Sequence, residues 1–402
     1  MVFSLDQYRP TQAVIHLDHL RHNLKVLESL SPNGQFFCPM VKANAYGHGD
    51  VEVARVLEDA GVTSMGVGLI EEGVLLRQMG LQAQLLFFGT MDAAGAKACL
   101  EAKLTPVLNS WDQLKTLEAQ VPRGEKVQVH IKFDTGMHRL GFEADQVKKL
   151  VEYFHDHPEF DIEGLLTHLH SGEDANDPQG QSFAQLREFD RLAAEFEAWA
   201  PWRHTLNSAG LLNLARLRKM GRDEIGGVSL KQGSRPGLAL YGLSPLEGLN
   251  ESVDLRPVMS LISKVVRVKK IAKGEGVSYG HRWKAERDSS IGIVPVGYAD
   301  GYHRLSSNRA EVLCEGKRVP VIGNVTMDYF MIDLTGLVGA SGAEAFLWKE
   351  VTLFGYDSGG QLLGPHELAK WAQTIPWEIL TSVSERVPRV LKTEESLLGR
   401  RN

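Results

Sequence analysis

Short apolar runs alternate with longer amphipathic stretches over the first two-thirds of the chain. Phe36–Val41, Ser64–Leu69, Gln84–Phe88, Leu104–Leu108, Lys126–Phe133, Ile162–Thr167, His204–Leu206 and Gly237–Tyr241 read as strands. Phe36–Val41 is apolar throughout, as a strand buried on both faces is. Between them lie helical patterns: Asp50–Ala60, Glu71–Met79 closed by Gly80, Ala93–Ala102, Ala144–Phe154 and Gln179–Trp199. Another runs to about Glu118 from a cap at Asn109 or Ser110, and Asn207-Ser-Ala-Gly210 reads as a loop entering a helix. Eight strands separated by helices predict an α/β fold, a (β/α)8 barrel of the TIM type. The alternative, a doubly wound open sheet of the dinucleotide kind, lacks a G-x-G-x-x-G at its first strand–helix turn.

Upstream, Gln12–Leu17 reads as a strand and Asp18 as the N-cap of a helix with the stripe Leu20, Leu24, Leu27 and Leu30. After Pro245 the rhythm changes to short strands with glycine-rich turns: Val258–Ile271, Ser290–Val296, Ala310–Leu313, Arg318–Ile322, Tyr329–Leu334 and Val351–Phe354. One helix, His366–Gln373, interrupts them. The expected domains are therefore a barrel over 1–248 and a mostly-β domain over 249–402, with residues 1–17 as candidates to pair with the latter.

Composition narrows the class. At 402 residues, 43% hydrophobic and 23% charged, the chain reads as a globular enzyme too long for one ordinary core. A net charge of −6 without basic runs argues against nucleic acid or anionic membrane as partner, and no apolar run reaches spanning length. The segment Met1–Pro10 lacks the parts of a secretory signal. Three widely spaced cysteines, Cys38, Cys99 and Cys314, fit a reducing compartment. The expectation is a cytoplasmic enzyme without a metal site.

Active sites of α/β barrels gather at the C-terminal ends of the strands. Polar residues collect there: Lys42 after the first strand, Asp134–Arg139 after the fifth, His168 and His170 after the sixth, Asn207-Ser208 after the seventh and Arg235 at the eighth. A lysine at the mouth of a buried strand has its ammonium disfavoured, which suits imine formation. A helix start after Ser208 and the backbone at Gly237-Leu238 suit a phosphate, because unpaired N–H groups point outward there. An imine-forming lysine beside an anion cradle is the constellation of pyridoxal phosphate enzymes.

Val41-Lys-Ala-Asn-Ala-Tyr-Gly-His-Gly49 resembles the cofactor-lysine signature of alanine racemases. The resemblance extends through Asp134–Gly141, Asn207–Gly210, Arg235–Gly242, Val277–Gly280, Asn324–Asp328 and Arg386–Arg389, in family order across nearly the whole chain. It implies pyridoxal 5'-phosphate as an internal aldimine on Lys42, with Lys42 and Tyr279 as acid/base groups on opposite faces of the substrate Cα. It implies that His168 and Arg235 supply the cationic surroundings a phenol base needs, and that Arg235 faces the pyridine nitrogen. A guanidinium can only donate, so that nitrogen stays unprotonated. Arg139 would touch the cofactor's phenolic oxygen and the substrate, and Met327 and Asp328 would border the substrate. Tyr46, Asn207, Ser208, Gly237 and Leu238 would hold the cofactor. Trp377 stands where the family usually has a phosphate-binding tyrosine, and Lys132 where some members carry a carbamylated lysine. The resemblance further implies a homodimer with shared sites, and D-alanine for peptidoglycan as the product's use. A racemase of other or broader amino acids such as serine, and a non-catalytic pyridoxal phosphate homeostasis protein, are the alternatives. The second would have no need of the β domain or Tyr279. His48, His138 and His170 read as solvent or structural histidines, and Glu173 and Asp174 as loop residues.

Overall fold

The computed structural model describes residues 8–174, 177, 179–199, 201–225, 227–246, 253–339 and 342–393. The expected domain boundary at 248/249 lies outside the described residues, as do residues 1–7. The chain forms two compact units. One, the barrel unit, holds Leu20–Ala45 and Asp50–Arg256; the other, the sheet unit, holds Met1–His19, Tyr46–Gly49 and Pro257–Asn402.

In the barrel unit seven strands pair side by side in the order Gly233–Ser234, Trp202–Leu206, Phe160–Leu166, Val127–Lys132, Thr105–Leu108, Gln84–Phe87 and Ser64–Val67, all parallel. Residues 36–41 close the ring. Phe37 bridges Ser234 and Met40 bridges Gly66, with Cys38 N–H donating to Ser234 O and Val41 N–H to Gly66 O, each at 2.9 Å. This eighth strand is only bridged, not continuously laddered. Pro39 stands in its middle and has no N–H to give. Inside the ring Phe36, Cys38, Leu86, Val107 and Leu166 pack together. Between ring and helices a larger layer includes Ile131, Phe133, Phe142, Phe189 and Phe196.

The last strand differs from its sequence reading. Pairing ends at Ser234, and Leu238–Tyr241 is a single 3₁₀ turn rather than a strand. Pro236 lacks the donor a ladder needs, and Gly237 takes φ −110° and ψ −93°, which turns the chain out of the sheet. Asp18 lies in the first turn of the helix Leu17–Leu30 rather than capping it.

Among the described residues the sheet unit is built on a ten-stranded sheet, nine strands in one ladder with Leu362–Leu363 pairing off it, antiparallel except for one pair. The strand Gln12–His16 lies between Met259–Lys264, antiparallel, and Arg389–Lys392, parallel, so the two ends of the described chain meet in one sheet. The expected long strand Val258–Ile271 is two strands, Met259–Lys264 and Arg267–Ile271, at different places in the sheet. The break falls at Val265, whose N–H goes to Lys349 O while that of Val266 goes to Ile293 O. A seven-residue helix, Pro376–Ser382, was not legible in the pattern.

Candidate active site

Lys42 heads the least ordinary backbone in the molecule. Lys42–Gly47 winds as a left-handed turn: φ is 54°, 53°, 49° and 54° at Ala43, Asn44, Ala45 and Tyr46, and 85° at Gly47. Each non-glycine residue in that sense costs about 1–2 kcal/mol, and such strain persists only where the surroundings fix it. Glu72 is the main brace within the barrel unit. It accepts from Ala43 N–H at 2.6 Å with one oxygen and from Gly68 N–H at 2.7 Å and Leu69 N–H at 3.1 Å with the other. Asn44 Oδ1 accepts from Asp50 N–H at 2.9 Å. Tyr46–Gly49 belong to the sheet unit, where Arg389 donates to Gly47 O at 3.0 Å. A Cβ on Gly47 would lie 2.3 Å from Leu380 O, so glycine is required there.

Lys42 keeps contact with solvent, yet the protein around it still removes enough water to act on its charge. Desolvation first, then the Arg139 guanidinium, lower its pKa, while Glu72 raises it. Lys132 is buried beside it, its pKa lowered to about 8 by burial, then by Arg139 and Arg235. His168 is held down to about 3 by burial and by the same cations, Arg235 foremost. It is therefore a neutral imidazole at neutral pH, not the cationic neighbour expected. The loop carrying Arg139 is tied by Asp134, which accepts from the N–H groups of Gly136, His138 and Arg139 at 2.9–3.0 Å. Burial works to raise the Asp134 carboxyl, but these bonds outweigh it and hold it low.

Arg235 is 5% exposed. It donates to Thr167 O at 2.7 Å, to His204 Nδ1 at 2.9 Å and to His204 O, and its guanidinium lies 6.0 Å from the Phe88 ring centre. Burial lowers its pKa to about 10, so it remains a cation. Beside it a cradle of amides forms. Ser208 begins the twelve-residue helix Ser208–Lys219, and its hydroxyl accepts from Gly237 N–H at 3.0 Å and Ala239 N–H at 3.2 Å. The first amides of that helix have no intrahelical partner, and the 3₁₀ turn Leu238–Tyr241 starts alongside. Asn207 caps the helix: its side chain accepts from Gly210 N–H and donates to Leu169 O. That commits its amide to the scaffold. Sequence reasoning passed over Glu72, His130 and His204. The first was legible as an acidic residue in a first turn, the other two as polar residues on barrel strands.

In the sheet unit Tyr279 is 75% exposed on a tight turn held by Asn324, which donates to Tyr279 O at 2.7 Å. Ser278 before it has φ of 64° and donates to Asn324 O at 2.9 Å. Met327 is exposed too, and its carbonyl accepts from Ala299 N–H at 3.1 Å. Asp328 is paired with Arg386 at 2.7 Å, and Arg386 also reaches Asp300 at 3.6 Å. Asp300 is fully buried and takes Arg9 at 2.8 Å and Gly297 N–H at 2.9 Å. Tyr46 is buried, its phenol pushed up to about 12 by burial, so it stays protonated and able to donate. Trp377 is half-buried in the helix Pro376–Ser382. Among the described residues no three His, Cys, Asp or Glu side chains converge as a metal site, and no helix is long and apolar enough to cross a membrane.

An α/β barrel with a desolvated lysine, a cationic rim and an amide cradle, followed by a β unit, has the build of a barrel enzyme that works through an amine. Residues 15–245 match the family described as alanine racemase, N-terminal domain, and residues 258–391 match alanine racemase, C-terminal domain. The chain is 39% identical over 395 residues to an alanine racemase of Sorangium cellulosum, covering 95% of this chain and 98% of that one. It is 35% identical to one of Geobacter sulfurreducens, with 95% and 97% covered. The structure of alanine racemase from Bacillus anthracis with bound L-Ala-P superposes with a TM-score of 0.83 at 30% identity, over 96% of each chain. The chain belongs to the alanine racemase family, and its activity is the isomerisation of alanine.

Proposed function

We propose that the chain interconverts L- and D-alanine by a two-base exchange at Cα, with Lys42 on one face and Tyr279 on the other. Lys42 also holds pyridoxal 5'-phosphate, which when bound supplies the electron sink that makes Cα acidic. The observation that carries this reading is the desolvated Lys42 at the head of a strained, braced turn. Its lowered pKa enlarges the neutral fraction, the form that both forms an imine and accepts a proton.

The residues fit that cofactor. The Ser208 helix start and the Gly237-Leu238 turn suit its phosphate, with the Tyr46 hydroxyl as a further donor. Trp377 replaces the family's usual tyrosine with a single N–H and more bulk. Arg235 suits the ring nitrogen: a guanidinium offers donors only, and among the described residues no carboxylate pairs with this one. A decarboxylase would call for an acid at that place. Arg139 would meet the phenolic oxygen and the substrate, and His168 would act beside Arg235 as a neutral hydrogen-bonding partner. Met327 and Asp328 would border the substrate, with Arg386 fixing Asp328.

The exposed Tyr279 and Met327 support a homodimer in which each sheet unit completes the partner's site. At Lys132 a pKa near 8 leaves part of the amine neutral at neutral pH, and Arg139 and Arg235 would stabilise a carbamate. The amine nitrogen bonds the carbon of CO2 and releases a proton to solvent; mass analysis in bicarbonate buffer should show the added CO2. We place the enzyme in the cytoplasm, supplying D-alanine for peptidoglycan.

The test is incubation of the purified protein with L-alanine, L-serine and L-lysine separately, reading each enantiomer ratio over time. Alanine should reach an equimolar mixture first. Faster conversion of serine or lysine would overturn the alanine assignment, and no conversion at all would favour a non-catalytic cofactor carrier.

A further inference from the structure

Arg235 is a fully buried cation without a carboxylate at ion-pair distance among the described residues, an arrangement that costs several kcal/mol unless the charge is answered elsewhere. A continuous line of polar groups leads from it through the barrel interior. Arg235 donates to His204 Nδ1 at 2.9 Å. A guanidinium has no acceptor, so this nitrogen must be the unprotonated one. Burial holds His204 well below its usual pKa, so the ring is neutral and its proton sits on Nε2. That Nε2 lies 2.8 Å from His130 Nδ1, which must then accept. His130 is also kept neutral, by burial first, so its proton is on Nε2. Nε2 lies 3.4 Å from Glu163 Oε2 and has no closer partner in the described structure.

Each proton in the line thus points away from Arg235 and toward one carboxylate. Glu163 is held low chiefly by His130, and it accepts from Gln84 Nε2 as well. Gln84 is oriented by Ser64, which donates to its Oε1 at 2.9 Å. Glu163 and Gln84 line a cavity of about 500 Å3 with Gln35, Gln128 and Trp202, at the N-terminal ends of the strands. That is the mouth opposite the catalytic rim. The backbone makes room for the line: a Cβ on Gly164 would lie 2.2 Å from His130 Nδ1, so only glycine admits the imidazole pair.

We propose that Glu163 is a positioning residue for the reaction and the remote counter-ion of Arg235: it takes the last proton of the arrangement that Arg235 starts, and so holds His130, His204 and through them the guanidinium in place. The link to the cofactor rests on the reading that Arg235 faces the pyridine nitrogen; the proton arrangement itself does not. Glu163→Gln keeps an acceptor for His130 but removes the charge. Glu163→Leu removes both, and Gln84→Met removes the neighbour's donation to Glu163 along with its bonds to Ser64 and Thr105 while leaving the carboxylate.

The experiment is nitrogen NMR of histidine-labelled protein, cofactor-free and loaded, with the cofactor's absorption spectrum and steady-state kinetics on the same samples. In the unsubstituted protein His130 and His204 should both be neutral imidazoles protonated only at Nε2. Glu163→Leu leaves the His130 Nε2–H without an acceptor, so His130 should turn from its place and lose exclusive Nε2 protonation, while His204, fixed by Arg235, keeps it. Glu163→Gln should retain it, with kcat down about tenfold, KM little changed and the cofactor band displaced. Gln84→Met should give a smaller change of the same kind and serves if Glu163→Leu does not fold. Protonation of His204 at Nδ1 in the unsubstituted protein, or an unaltered pattern in Glu163→Leu, would overturn the proposal. With the pattern intact and responsive in the cofactor-free protein, a cofactor band indifferent to Glu163 would instead overturn the placement of Arg235 at the ring.

Discussion

Arg235 and Lys132 of the barrel unit are 5% and 7% exposed, whereas Tyr279 and Met327 of the sheet unit are 75% and 53% exposed. The barrel unit holds its chemical groups inside a fixed frame of strands, where burial and neighbouring cations shift their charges. The sheet unit carries its groups on braced turns that stand clear of its own core. Two kinds of site-building are at work. One tunes a proton affinity by enclosure; the other fixes a backbone and leaves the side chain for something outside the unit. A group of the second kind reaches its working environment only when a complementary surface covers it, and that contrast is the ground for the shared site proposed above.

Substitutions probe each side of it. Lys42→Ala should remove activity by at least about 10⁴-fold and abolish the long-wavelength absorbance of the bound cofactor. Residual activity above that level with the absorbance retained would mean another amine holds the cofactor. Tyr279→Phe should lower kcat by about 10²–10⁴-fold while leaving that absorbance in place, since it removes one proton carrier only. Solvent deuterium should then enter alanine unequally in the two directions, and equal entry would argue for a single base.

Lys132 tests the tuning by enclosure. Its folded pKa of about 8 lies below its ordinary 10.5, so below pH 8 the folded state carries a charge that the unfolded chain holds at less cost. Between these values the unfolded state binds more protons, and stability rises with pH. In bicarbonate-free buffer Lys132→Met should therefore be more stable than the unsubstituted protein at pH 7, by on the order of 2–3 kcal/mol, with the advantage gone above pH 10.5. Urea unfolding at the two pH values measures it, and parallel stability curves would contradict the shift. The smallest effect should come from Glu72→Gln. An amide cannot accept on both sides as the carboxylate does from Ala43 and Gly68, so the turn loosens by about 1–3 kcal/mol. Losing the charge that raises its pKa, Lys42 should titrate at still lower pH.

Much of this was legible in the chain. The barrel follows from alternating apolar runs and helical patterns, and the rim residues from their places just after those runs. The second half reads as strands because its runs are short and its turns rich in glycine. What escaped the pattern depends on non-local partners. The left-handed sense at Ala43–Tyr46 is imposed in part by Glu72, which is remote in sequence, and no local propensity announces it. The strand expected at Gly237–Tyr241 fails because Pro236 and Gly237 remove a donor and redirect the chain, a local signal that the apolar run outweighed. His168 looked cationic until its surroundings were known: burial first, then Arg235, Lys132, Arg139 and Lys42, exclude a further charge.

The proposed site pairs Lys42 of one chain with Tyr279 of another. Co-expression of Lys42→Ala and Tyr279→Phe chains, each carrying a different tag, tests it by isolating the mixed dimer. If sites are shared, one of its two sites combines both substitutions and the other has neither. The mixed dimer should then recover about half the activity of the unsubstituted dimer, although each variant alone is nearly inactive. A mixed dimer as inactive as its parents would show that each site is built within one chain, and would contradict the account.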